Sequence, residues 1–139
     1  MTKRTITICG KDIDIFYCAA TENGFERMTE KSISVFLPTF KKNEDGETVI
    51  DQLPEATNED YLTLAIAGIV AADSYYEREA SITSKEIIYE TSPAERNLLL
   101  NTIVELRIEW YEVPKIVGDI ASKETENAKG DSGGEEVKN

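Results

Sequence analysis

The pattern of apolar and polar positions is clearest at the front of the chain. Thr5-Ile6-Thr7-Ile8-Cys9 alternates, and so does Asp12-Ile13-Asp14-Ile15. Strict alternation is the signature of half-buried strands, and Gly10-Lys11 between them suits a two-residue type II′ turn. If Cys9 faces Asp12, then Ile8 faces Ile13 and Ile6 faces Ile15. All four isoleucines then share one face. Thr5, Thr7, Cys9, Asp12 and Asp14 take the other, with Phe16 and Cys18 at its far end. A one-residue slip would destroy that sorting. A lone hairpin is marginal, so its isoleucine face must pack on something.

The following segments read as helices and a loop. Thr21 to about Lys31 offers Phe25 and Met28 on one face of a short helix, which Gly24 weakens by roughly 1 kcal/mol relative to Ala. Ser32 to Phe40 is apolar without a clear period, and Pro38 stops any regular element there. Lys41 to Thr57, with Asn43, Asp45, Gly46 and Pro54, reads as a long surface loop holding a small strand at Thr48-Val49-Ile50. Thr57 to Glu79 is a strong helix. Thr57 and Asp60 resemble a capping box. Tyr61, Leu62, Ala65, Ile66, Ile69, Val70, Ala72 and Tyr76 form a broad apolar stripe. Ala65, Ala67, Gly68, Ala71 and Ala72 are small enough for another helix to approach closely. Thr83-Ser84-Lys85-Glu86 opens a short helix. Ser92-Pro93-Ala94-Glu95 opens a longer one, with Ser at the N-cap and Pro at the first helical position. Leu99, Ile103, Leu106 and Trp110 form its main stripe, and Pro114 should end it near Glu112.

From Ser122 to Asn139 the chain is polar and charged, with Val137 its one aliphatic residue beyond Ala128. Such a segment cannot offset its ordering entropy and reads as a disordered acidic tail. The expected architecture is α+β: an N-terminal two-stranded antiparallel hairpin packed on three to four helices, in one domain spanning 1–121, followed by the tail at 122–139.

Charge narrows the function. The 139 residues carry 15 Lys and Arg, 27 Asp and Glu and no His, a formal charge of -12. Removing the tail leaves 12 basic and 22 acidic residues, so the acidity belongs to the folded part. Nucleic acid and anionic membranes are poor partners for such a surface. Without His, Ser-His and Cys-His nucleophile pairs and His-ligated metals are impossible. Cys9 and Cys18 lack C-x-x-C spacing, and the hairpin register holds them too far apart for a disulfide. No apolar leader follows Met1-Thr2-Lys3-Arg4, and the longest apolar run, Leu62 to Ala72, is too short to cross a membrane, so a soluble, cytoplasmic location is expected.

The acidic clusters are Asp12 with Asp14, and Glu44, Asp45 and Glu47 around Gly46. Either could in principle hold a hard cation, but solvated or structural roles are the expectation in a chain this acidic. No catalytic, cofactor or metal residue is expected. The aromatic pairs are more informative. Tyr75 and Tyr76 close the long helix; Trp110 and Tyr111 lie near the end of the last one. Neighbours on a helix point about 100° apart, so each pair can put one ring in the core and offer the other to a partner. These four are the candidate partner-binding residues.

The opening ITICGKDIDIFY, followed by Ala20-Thr21-Glu22, Phe25-Glu26 and Lys31-Ser32-Ile33, resembles small phage and prophage tail assembly chaperones. The resemblance covers residues 5 to 33 by pattern, and 57 to 112 by helix content. The 41–57 loop departs from it. It implies a non-enzymatic protein that coats an apolar helical tape-measure protein, recruits tail-tube subunits and self-associates. An apolar groove built from the Ala-rich helix and the Trp110 end would suit that task. A rival reading uses the same charge for DNA mimicry, blocking a nucleic-acid-binding protein. The interspersed Arg78, Lys85, Arg96, Arg107 and Lys115 argue against a purely acidic face.

Overall fold

A computed structural model describes the backbone of residues 1–119 and the side chains of residues 1–111. The fold is α+β. Strands β1 (Thr2–Ile8) and β2 (Lys11–Tyr17) form the N-terminal hairpin, and helix α1 (Ala19–Thr29) follows. A single 3-10 turn at Ile33–Phe36 leads to a second hairpin, β3 (Thr39–Lys42) and β4 (Thr48–Gln52). Three more helices follow among the described residues: α2 (Asn58–Tyr75), α3 (Ser84–Glu90) and α4 (Pro93–Asp119). The proposed tail at 122–139 lies outside the described residues. The chain divides into two compact units, Met1–Leu106 and Arg107 onward, and α4 belongs to both.

The first hairpin is antiparallel with the expected sorting of faces but a different register. Ile8 pairs with Lys11, Thr7 with Asp12, Ile6 with Ile13 and Thr5 with Asp14. The turn is therefore Cys9-Gly10, not Gly10-Lys11. Both turn residues have positive φ, 52° and 74°. That is type I′ chemistry, whose twist matches the strands. The shift is two residues, so every side chain keeps its face, and Ile6, Ile8, Ile13 and Ile15 are all buried. Side chains outside the turn favour this register. Thr5 and Thr7 donate to Asp14 and Asp12 across the ladder. Glu95 accepts from the Cys9 backbone N–H at 2.8 Å, and Lys11 pairs with Glu86 at 2.9 Å. Both cysteines are free.

All three predicted caps form. Thr57 and Asp60 exchange bonds at the start of α2, and Thr83 and Glu86 do so at α3. Ser92 and Glu95 do so at α4. α2 is the central helix. It ends at Tyr75 rather than near Glu79, and its buried set is wider than one stripe. Leu64, Ala65, Ala67, Gly68, Ile69, Ala71 and Ala72 are all buried, because α1 and β2 pack on it from different sides. Two glycines mark the closest approaches. A Cβ on Gly24 of α1 would sit 3.3 Å from Ala67 Cβ. A Cβ on Gly68 would sit 2.6 Å from the Phe16 carbonyl oxygen and 2.9 Å from Ile15 Cγ2. Helix propensity alone marks Gly24 as a weakness; packing explains it.

Two further expectations change. The 41–57 segment is not one loop: the expected strand at 48–50 finds a partner in β3, with Lys41 opposite Val49 and Phe40 opposite Ile50. The α4 helix continues through Pro114 to Asp119. A proline removes one ladder bond and biases its predecessor, which kinks more often than it forbids a helix already several turns long.

Candidate protein-binding site

The Tyr75–Tyr76 pair stands where α2 ends. Tyr76 closes the helix with its N–H on the Ala72 carbonyl, and the Glu77 N–H meets the Ser74 carbonyl. Glu77 then adopts φ 54°, and Arg78 turns back so that its N–H meets the Asp73 carbonyl at 3.0 Å. Buried Asp73 holds this reversal. It accepts from Arg78 Nε at 2.7 Å, and from the backbone N–H and hydroxyl of Ser81.

Beneath the tyrosines lies Phe16, only 1% exposed, packed with Ala71 and Ala72. Its ring centroid is 5.5 Å from that of Tyr75 and 5.5 Å from that of Tyr76, edge-on to both. The two tyrosines meet each other at 5.3 Å and 81°. These are favourable aromatic geometries. The Arg78 guanidinium covers the Tyr76 ring at 4.8 Å and reaches Asp14 at 2.9 Å. The hydrogen bonds from Thr5 and Arg78 hold the Asp14 carboxyl below its ordinary range, and those to Asp73 and Asp14 raise the Arg78 guanidinium further. Even so, Tyr75 and Tyr76 remain 64% and 44% exposed. Neither ring enters the core; Phe16 fills that place instead. The result is an exposed aromatic step framed by ion pairs.

Trp110 and Tyr111 lie in the second unit. Tyr111 is 45% exposed, and Arg107 stacks over its ring at 5.0 Å; Trp110 is half-buried. They are adjacent on α4.

The Ala-rich face of α2 does not form an open groove, because α1 and β2 occupy it. A shallow cleft of about 220 Å³ remains beside it, between Arg27 and Met28 of α1 and Val70 and Ser74 of α2. A wider cleft of about 720 Å³ is lined by Leu62, Ile66, Ile88 and Leu100, with Lys31 and Arg96 among its polar residues. There Asp60 is engaged by Lys31 at 2.8 Å. Burial alone would raise its carboxyl, but Lys31 and the Thr57 N–H outweigh it and the net direction is down.

The remaining carboxylates with a resolved shift also go down. The Thr83 N–H and Lys11 act on Glu86; the Ser92 and Cys9 N–H groups act on Glu95. Around Gly46, Asn43 organises the turn, its side chain accepting from the N–H groups of Asp45 and Glu47. Among the described residues no cluster of three or more Cys, Asp or Glu could hold a metal ion, and no helix is long and apolar enough to cross a membrane.

Sequence reasoning missed two features. Phe16, expected on the outer face of the hairpin at its far end, is the buried foot of the tyrosine step; only the fold brings residue 16 to residues 75 and 76. It also missed the exposed apolar side chains of the second hairpin, Phe40 and Ile50, and of Leu53 beyond it. The short alternation Thr39-Phe40-Lys41 was the available signal. Compared with known proteins, the chain matches no family model, no curated protein and no solved structure.

Proposed function

We propose that this chain is a non-enzymatic protein-binding module that docks its partner on the Tyr75–Tyr76 step. In keeping with the resemblance of its opening residues, we propose that it acts as a tail assembly chaperone in the cytoplasm of a bacterial host. There it keeps a helical tape-measure protein soluble before assembly and recruits tail-tube subunits. The exposed tyrosine pair carries the reading. Both rings pack on Phe16 and Arg78 covers that of Tyr76, so a partner covers aromatic surface at a reduced entropy cost of fixing it. The surrounding charge suits a soluble complex with an apolar client. The acids with resolved shifts are engaged by caps and ion pairs, which favours structural work for them.

The test is co-expression with a tape-measure protein encoded beside it. The wild-type chain should raise the client's soluble fraction severalfold and co-purify with it. The Y75S/Y76S double variant should lose both effects while keeping its helical circular dichroism. An unchanged client, or a double variant as effective as wild type, removes the proposal.

A further inference from the structure

The apolar stripe of α2 is covered unevenly. α1 and β2 pack over its small residues, whereas Leu62 and Ile66, a turn apart, stay half-buried on an open flank. With half-buried Leu100 of α4 and exposed Ile88 of α3 they floor the cleft of about 720 Å³. That volume falls within the range of about 300–1,000 Å³ typical of ligand sites.

The charges in the cleft are not all accounted for. Lys31 is spent on Asp60 at 2.8 Å. Glu59 lies in the first turn of α2, where the helix dipole favours an acid. Arg96 has neither excuse. It lies in the turn that follows the Ser92 cap of α4, the end of a helix at which a cation is disfavoured. Arg4 and Arg78 hold carboxylates, as expected in a chain of 27 acids and 15 bases. Half-buried Arg96 pairs with no carboxylate among the described residues. Its hydrogen bond runs to the Thr91 carbonyl at 3.4 Å, long for a charged donor. The amides of Asn58 and Asn97 line the same cleft, and among the described residues neither side chain is hydrogen-bonded.

We propose that this cleft docks a short segment of a partner protein that carries a carboxylate beside aliphatic side chains. The carboxylate pairs with the Arg96 guanidinium, which offers a planar fork of donors suited to it. The aliphatic groups lie on Leu62, Ile66, Ile88 and Leu100, and the asparagine amides bond the segment's peptide groups. That last pairing separates a peptide from a fatty acid. An alkyl chain would take water from both amides and leave them unsatisfied, which costs free energy. The chaperone reading needs neither Arg96 nor an acidic partner, and the cleft shares no residue with the tyrosine step, so either proposal can fail alone.

Selection of a random displayed peptide library against the full chain should enrich sequences that set Asp or Glu beside Leu, Ile or Val. A synthetic peptide of the enriched sequence, blocked at both ends, should bind the wild-type chain. Arg96→Glu should weaken it about tenfold or more, and should prefer the same peptide with Lys in place of its acid. Ile88→Ser, at a position already exposed, should weaken it too with the circular dichroism unchanged. The Y75S/Y76S variant should bind it as wild type does. Sodium decanoate, the probe for a fatty acid, should bind more weakly than the peptide. A library without this enrichment, an acid preference that survives Arg96→Glu, binding lost in Y75S/Y76S, or decanoate tighter than the peptide overturns the proposal.

Discussion

Gly68 and Gly24 show how much a single hydrogen atom in place of a methyl can decide. Both lie in helices, where Ala is intrinsically better by about 1 kcal/mol. At Gly68 the added carbon would meet a backbone oxygen at 2.6 Å, and neither α2 nor β2 can yield without losing its neighbours. At Gly24 it would meet the Ala67 side chain at 3.3 Å, a gap that a few tenths of an ångström of helix movement relieves. Gly68→Ala should therefore destabilise by about 1–3 kcal/mol, in the range of overpacked cores. Gly24→Ala should cost clearly less, since its propensity gain offsets a milder contact. Urea unfolding of the two variants checks this; equal losses would mean that the approach at Gly68 is not as tight as described. Gly24 looks like a simple helix breaker in the local sequence; Gly68 belongs to a run of small residues that predicts a close neighbour, but only the fold shows that neighbour to be a strand, β2.

At the scale of elements, the caps and the turn show how far local chemistry reaches. Thr57, Thr83 and Ser92 each satisfy a backbone N–H that a helix start leaves orphaned, and each is answered by an acid three residues on. Removing the Thr57 hydroxyl by Thr57→Ala should cost about 1 kcal/mol, as for other lost N-caps, visible as a lower urea midpoint with an unchanged slope. All three boxes were legible because their partners are near in sequence. The hairpin register was legible only in part: the Thr5–Asp14 and Thr7–Asp12 bonds are local, but Glu86 and Glu95, some eighty residues away, hold it as well. β3 was hidden for a related reason: four residues with one apolar side chain give too little alternation to stand out from a loop.

For the whole molecule, acid is the revealing stress. Asp14, Asp60, Glu86 and Glu95 all titrate below their ordinary values of 3.8 for Asp and 4.5 for Glu. A carboxyl that is more acidic folded than unfolded contributes stability that is complete above the unfolded value. That stability is lost as pH falls through the folded one. The urea midpoint should therefore drop between about pH 5 and pH 3. Discharge of a chain at -12 works the other way, by relieving self-repulsion. At physiological salt that repulsion is screened beyond about 8 Å, whereas the Asp60–Lys31 and Asp14–Arg78 contacts are direct. A midpoint that stays level or rises toward pH 3 would show that repulsion governs.

By itself the sequence determined the α+β class, the N-terminal hairpin with its isoleucine face, the three capped helix starts and the net charge of -12. Each depends on residues within a few positions of one another, or on composition. Tertiary structure decided the rest, because it depends on residues far apart in the chain. It set the Cys9-Gly10 turn through Glu95, and it buried α2 on several sides and closed its small-residue face against α1 and β2. It also placed Phe16 under Tyr75 and Tyr76, which turned two residues at a helix end into an exposed aromatic surface.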